Sequence, residues 1–77
     1  MNFDLWLRGC EINNTKIYPL EGSGNTAIYK VWSEYECNHN YYRTTPLYFV
    51  WIAGNLVLDT MDLSVAYKLF DKHTNLW

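Results

Sequence analysis

The sequence is poor in cysteine, in charge of either sign and in long apolar runs, and each shortage excludes a class of protein. Its two cysteines, Cys10 and Cys37, are too few for the disulfide framework of a small secreted domain. The longest apolar run, 47–53, is far too short to span a membrane. Asp4 and Arg8 interrupt the apolar start of the chain, which argues against a signal peptide. We therefore expect a cytoplasmic protein with free thiols and no membrane partner.

Eight acidic and six basic side chains give a net charge of −2. Proteins that bind nucleic acids use an excess of Lys and Arg to release counterions from phosphates, and this sequence has no such excess. A mimic of DNA would need a much denser set of carboxylates. The charge therefore argues against nucleic acid as the partner and against the DNA-mimic class of protein.

Motifs that carry chemistry are also missing. Cys37 and His39, together with Cys10 and His73, do not have the close ligand pairs of structural zinc sites. No third group is positioned to orient a Cys–His nucleophile pair. The glycine-rich segment 22–25 joins two strands, whereas a phosphate loop precedes a helix. We expect no enzyme, no metal site and no cofactor, and we interpret Cys37 as buried and His39 as solvated.

Aromatic residues, in contrast, are abundant. They make up 18% of the 77 residues, as four Trp, seven Tyr and three Phe. A chain of this length buries only about 60% of the surface that its unfolded form exposes. Each buried aromatic side chain removes roughly 150–250 Å² from water, which helps a small core to suffice. The composition predicts one folded domain over residues 1–77.

The clearest structural signal is a hairpin in the C-terminal half. Two runs rich in β-branched and aromatic residues, 47–53 and 56–60, flank Gly54 and Asn55. Gly and Asn tolerate the positive φ angles of two-residue hairpin turns. The turn would fix the cross-strand pairs Ala53–Leu56, Ile52–Val57, Trp51–Leu58 and Val50–Asp59.

This register makes the hairpin apolar on both faces. One face would carry Leu47, Phe49, Trp51, Ala53, Leu56 and Leu58, and the other Tyr48, Val50, Ile52 and Val57. A hairpin of this kind is expected to be covered on both sides. Otherwise one apolar face is exposed and available to a partner. The N-terminal segment, a second copy of the chain or a target protein would each serve as the second cover.

A helix is predicted next, over 63–73. Asp62 is a good N-cap residue, and apolar residues follow at helical spacing. The predicted stripe consists of Leu63, Ala66, Leu69, Phe70 and His73. We expect its Leu69 and Phe70 side to pack against the Trp51 face of the hairpin.

The first half is predicted to form a second hairpin. A short strand, 16–20, carries Pro19, which marks an edge; a flexible loop, 21–25, leads to an alternating strand, 26–37. That strand would direct Tyr29, Val31, Tyr35 and Cys37 to one side and Lys30, Trp32, Glu34 and Glu36 to the other. A polar turn, 38–40, follows, and 41–46 either extends the sheet or bridges to it.

The N-terminal segment fits two structures. Asn2 would cap a helix over 3–8 that ends at Gly9, whereas the alternation of Phe3, Leu5 and Leu7 favours a strand. We prefer the strand. The predicted fold is therefore α+β: a four- or five-stranded antiparallel sheet with one C-terminal amphipathic helix packed on one face.

The aromatic residues exceed what the core needs, and Tyr, Trp and Arg are enriched at binding hot spots. We therefore predict protein–protein recognition through exposed aromatic residues. The candidate partner-binding residues are Trp32, Tyr41, Tyr42, Arg43, Tyr48, Tyr67 and Trp77. Stacking of these aromatics on nucleobases or a small nucleotide is an alternative, although Lys16, Lys30 and Arg43 are few bases for it. A homo-oligomeric structural protein is a further alternative.

The short length, mild acidity, abundant Asn and Tyr, and the β-β-α ending (Val50 to Asp59, then Leu63 to His73) form a recognisable combination. In these features the chain resembles the small accessory proteins of bacteriophages and mobile elements, including anti-CRISPR and other anti-defence inhibitors. The resemblance implies a stoichiometric inhibitor that binds a host defence or metabolic protein or complex. It assigns a role to no individual residue.

Overall fold

The structure is a computed structural model and describes residues 2–74. It contains two helices and six strands within those residues. In chain order the elements are α1 (Phe3–Ile12), β1 (Lys16–Ser23), β2 (Thr26–Trp32), β3 (Glu34–Cys37), β4 (Asn40–Arg43), β5 (Leu47–Ile52), β6 (Asn55–Thr60) and α2 (Leu63–Thr74).

The fold is α+β, with a four-stranded antiparallel sheet in the order β1-β2-β5-β6 and a two-stranded sheet formed by β3 and β4. The C-terminal helix α2 packs against the larger sheet, as predicted. Pro19 lies on the edge strand β1, where its missing N–H interrupts no inner ladder. The two inner strands, β2 and β5, hold the centre of the core.

Both faces of the larger sheet are covered, each by one helix. The α1-side core consists of Phe3, Ala27, Tyr29, Val31 and Trp51. The α2-side core consists of Ile28, Val50, Ala66 and Phe70. Successive residues of β2 and β5 alternate between these cores because side chains of a strand point alternately to opposite faces. The prediction that the 47–60 hairpin is apolar on both faces and covered on both sides is therefore confirmed.

The N-terminal segment is a helix, so the predicted strand is wrong. Asn2 caps it: its side-chain oxygen accepts hydrogen bonds from the backbone N–H groups of Asp4 (2.8 Å) and Leu5 (3.4 Å). Phe3, Trp6 and Leu7 all contact the α1-side core, which matches the i, i+3, i+4 spacing of a helix. The alternation of Phe3, Leu5 and Leu7 was misleading, because Leu5 is 66% exposed.

Helix α2 begins where predicted, but it covers the opposite face of the hairpin. The Asp62 carboxylate accepts hydrogen bonds from the backbone N–H (3.0 Å) and hydroxyl (2.7 Å) of Ser64. Ala66 and Phe70 then pack against Ile28 and Val50, not against Trp51. The predicted face was wrong because α1 occupies the Trp51 side.

The predicted register of the hairpin is wrong by one residue at the turn. Ala53 (φ 50°) and Gly54 (φ 82°) occupy the two turn positions, so Asn55 pairs with Ile52 inside the ladder. A bulge between Val50 and Trp51 then shifts the register, and such a bulge changes which face the following residues reach. The observed pairs are Tyr48–Thr60, Phe49–Asp59, Val50–Leu58, Trp51–Leu56 and Ile52–Asn55.

The first hairpin is longer than predicted. Strand β1 continues through the expected loop as far as Ser23, with a register shift between Pro19 and Glu21. Gly22 has a φ of 75° and Gly24 a φ of 60°. A positive φ at the first central residue is typical of a type II′ hairpin turn, so Gly24 and Asn25 suffice to reverse the chain.

Candidate protein-binding site

Strands β3 and β4 form a two-stranded ribbon, residues 34–43, that extends from the larger sheet. Asn38 (φ 52°) and His39 (φ 67°) make its turn, as expected for a type I′ hairpin. Every residue from 34 to 43 is exposed. The described chain measures 52 × 25 × 16 Å, in keeping with an extension beyond the compact sheet and helices. The segment 41–46 was predicted either to extend the sheet or to bridge to it. Its first three residues, Tyr41, Tyr42 and Arg43, instead belong to this ribbon.

The ribbon is joined to the larger sheet by one hydrogen-bonded pair of residues. The Ser33 backbone N–H donates to Thr44 Oγ1 (2.9 Å), and the Thr44 backbone N–H donates to the Ser33 carbonyl (2.9 Å). Val31 pairs with Leu47 on one side of this junction, and Glu34 with Arg43 on the other. Between these two pairs the chain has two residues on one side, 32–33, and three on the other, 44–46, so the ladder does not continue unbroken from the larger sheet into the ribbon.

One side of the ribbon presents a pair of tyrosine rings. Tyr35 and Tyr42 are cross-strand partners, and their rings stack with centroids 5.4 Å apart and planes inclined by 21°. They remain 53% and 44% exposed. Tyr35 was not among the predicted partner-binding residues. The sequence placed it on the same side as Val31 but gave no signal that the helix covering this side ends before Tyr35.

The other side of the ribbon carries a polar network around Trp32. The Trp32 Nε1–H donates to Glu34 Oε1 (3.1 Å), and Arg43 Nε lies 3.4 Å from the same oxygen. Lys30 Nζ and Arg43 Cζ lie 5.5 and 5.9 Å from the centre of a Trp32 ring. Each exposed cation–π contact contributes about 0.5–1 kcal/mol to stability, and an exposed ion pair contributes a similarly small amount. Together these contacts orient Trp32, which is half-buried.

The predicted partner-binding residues divide into three groups. Trp32, Tyr41, Tyr42 and Arg43 lie in the ribbon or at its base, and Tyr41 is 81% exposed. Tyr48 and Tyr67 are instead half-buried against the α2-side core. Tyr67 was predicted among the exposed aromatic residues, but α2 turns it towards the sheet. Trp77 lies outside the described residues.

Cys37 was predicted to be buried, and this prediction is wrong. Cys37 is exposed because it lies beside the turn of the ribbon, whereas Cys10, a residue of α1, is buried. Both are free thiols, and burial raises the pKa of Cys10. His39 is exposed in the turn. Within residues 2–74 no three His, Cys, Asp or Glu side chains are placed to hold a metal ion.

The ribbon is thus a set of exposed aromatic and charged side chains on a narrow projection. Neither helix of residues 2–74 is long and apolar enough to cross a membrane. Comparisons with protein-family models, curated proteins and solved structures found no match to this chain.

Proposed function

We propose that this chain is a protein-binding module that inserts its ribbon into a concave site on a partner protein and thereby inhibits it. The observation that carries the proposal is the exposure of the stacked Tyr35–Tyr42 pair on a projecting hairpin. Tyrosine supplies a large, rigid contact surface at a small cost in conformational entropy. The inhibitory role, and a host defence or metabolic protein as the target, follow from the resemblance to phage-type inhibitors.

The shape of the ribbon favours insertion over contact with a flat surface. Stable interfaces bury about 1,200–2,000 Å² in total. One side of a ribbon with four-residue strands offers much less than half of that area. A cleft that surrounds the ribbon would bury both sides and the turn together. Insertion would also enclose the pre-ordered Trp32 network at the base, which costs little further ordering.

Binding through the ribbon is tested with a double variant, Tyr35→Ser with Tyr42→Ser, against Tyr18→Ser as a matched control. Tyr18 is 59% exposed on the edge strand β1, outside the ribbon. Immobilised wild-type protein and both variants are incubated with a lysate of the host cell, and captured proteins are quantified by mass spectrometry. We expect a partner that wild type and Tyr18→Ser retain equally and the double variant loses.

The stoichiometry and the activity of the captured protein complete the test. We expect a 1:1 complex and loss of the partner's activity at equimolar protein. A partner that the double variant retains in full would contradict binding through the ribbon. Capture of nucleic acid with an affinity that falls steeply with salt would instead support the stacking alternative, because phosphate contacts produce that slope.

A further inference from the structure

A groove lies between helix α1 and the sheet, and none of the ribbon residues 34–43 lines it. Its volume is about 420 Å³, and its walls include Trp6, Val31 and Phe49. The rings of Trp6 and Phe49 are stacked, with centroids 5.2 Å apart and planes inclined by 26°. Sites for small molecules typically enclose about 300–1,000 Å³ and have aromatic walls. The groove is therefore large enough for a one- or two-ring molecule.

Gly9 is an independent observation that points to this groove as a binding site. It lies inside helix α1 and lines the groove, and a Cβ built at this position would meet no atom within 4 Å. Glycine inside a helix is less favourable than alanine, because it loses more conformational freedom on folding. Neither a positive φ nor close packing requires glycine here, in contrast to Gly22. A glycine without a structural need leaves the groove open beside the helix.

The remaining lining side chains define the chemistry of a ligand. None of the described residues that line the groove is acidic or basic, and burial raises the pKa of the Cys10 thiol further above its ordinary value. Asn13 and Thr15, whose side chains carry an amide and a hydroxyl, also line the groove. An anion or a cation would lose its hydration here without gaining an opposite charge, which is costly. A neutral molecule with one polar edge would lose little.

We propose that this groove binds a neutral, planar, ring-containing small molecule, with its rings against Trp6 and Phe49 and its polar edge at Asn13 and Thr15. The site is separate from the ribbon, so the two proposals can fail independently. The ring faces would gain apolar contact with the aromatic walls. The polar edge would form hydrogen bonds with the amide and the hydroxyl.

The test uses indole as the neutral probe and indole-3-acetate as its charged counterpart. Each is titrated into ¹⁵N-labelled full-length protein and followed by two-dimensional NMR. We expect saturable shifts with indole at the Gly9 amide, the Trp6 indole N–H and the Asn13 side-chain amide. Binding of indole-3-acetate should be about tenfold weaker or more, the equivalent of about 1.4 kcal/mol.

Two matched variants connect binding to the groove. Gly9→Leu places a side chain in the open space, whereas Glu11→Leu adds the same side chain to an exposed position of the same helix. We expect Gly9→Leu to weaken indole binding about tenfold or more and Glu11→Leu to leave it unchanged. Thermal unfolding checks that both variants fold.

A second readout does not depend on Gly9. In Cys37→Ser protein, Cys10 is the remaining thiol, and saturating indole should slow its alkylation severalfold. The proposal is overturned if indole causes no saturable shift at the groove, if Gly9→Leu binds as well as wild type, or if Cys10 is not protected. Concentration-dependent dimerisation that broadens the groove resonances without any probe would also overturn it, since a second copy would then occupy the groove.

Discussion

The larger sheet and the ribbon use aromatic side chains in opposite ways. In the sheet, Trp51 is fully buried and lies 5.2 Å from Phe3 and 5.1 Å from Trp6, measured between ring centres. In the ribbon, Tyr35 and Tyr41 are 53% and 81% exposed. Both regions are antiparallel β-structure with cross-strand aromatic pairs. The difference is that a helix covers each face of the sheet and no described element covers the ribbon.

This contrast distinguishes two roles of the aromatic residues, which the amino-acid composition does not distinguish. The aromatic residues of the sheet supply the buried area that a chain of 77 residues needs. Those of the ribbon contribute little buried area, so folding does not explain them. We infer that the first group determines stability and that the second is available for binding. The predictions below test this division, beginning with the largest expected change in the free energy of unfolding.

Trp51→Ala should have the largest effect. Removing a fully buried aromatic side chain typically costs about 3–5 kcal/mol, which approaches the whole stability of a domain of this size. Trp51 Nε1 has no hydrogen-bond partner within residues 2–74, so Trp51→Phe should cost clearly less. Urea unfolding followed by circular dichroism measures both. A loss below about 1 kcal/mol for Trp51→Ala would mean that this core is not what holds the sheet together.

Two glycine substitutions should change stability in opposite directions. At Gly22 the φ is 75°, and an added Cβ would clash with the Thr26 carbonyl and press on the Phe70 ring. Gly22→Ala should therefore destabilise the protein by about 1–3 kcal/mol. Gly9→Ala should stabilise it by about 0.5–1 kcal/mol, since alanine suits a helix interior better. The same unfolding assay applies, and equal effects at both positions would contradict these assignments.

The Asp62 cap should make stability depend on pH. Its hydrogen bond with the Ser64 side chain, followed by that from the Val65 backbone, lowers the pKa of Asp62 below its ordinary value of 3.8. A carboxylate whose pKa is lower in the folded state stabilises the protein at pH values above its unfolded-state pKa. This stabilisation disappears as the pH falls through the folded-state pKa. The advantage of wild type over Asp62→Asn should therefore shrink below about pH 4. An advantage that is constant down to pH 3 would exclude this role.

The smallest effect is expected in the ribbon. Tyr35→Ser removes one cross-strand aromatic contact, and such pairs contribute about 0.2–1 kcal/mol. Because both rings are largely exposed, the cost should lie near the lower end of that range. The unfolding assay should show a shift far smaller than that of Trp51→Ala. A loss of about 2 kcal/mol or more would show that the ribbon serves folding.

The sequence predicted the parts of the fold that depend on local chemistry. The hairpin residues, the Asp62 cap and the amphipathic pattern of α2 each follow from residue types at short spacing. The register and the packing partner do not. Ala53 adopted a positive φ that its type disfavours. The covering of the Trp51 face depended on α1, which lies near the opposite end of the sequence.

The residues of the candidate site were only partly predicted, because their exposure also depends on which distant elements cover them. Tyr41, Tyr42 and Arg43 follow a polar turn, and residues next to such a turn can be predicted from the sequence to be exposed. Tyr48 and Tyr67 were predicted to be exposed and are instead half-buried, because α2 covers the face of the hairpin that carries Tyr48. Tyr35 was missed because the alternation of 26–37 runs through Ser33 unchanged, so the sequence does not reveal where the cover ends.

The most direct test of the division between sheet and ribbon is to replace the ribbon by a turn. Ser33 and Thr44 are hydrogen-bonded to each other, so Asn-Gly in place of residues 34–43 would close a two-residue hairpin between them. We predict that this shortened chain folds and that its free energy of unfolding lies within about 1 kcal/mol of the full chain, while partner capture is lost. A shortened chain that is unfolded, or that retains the partner, would contradict the account.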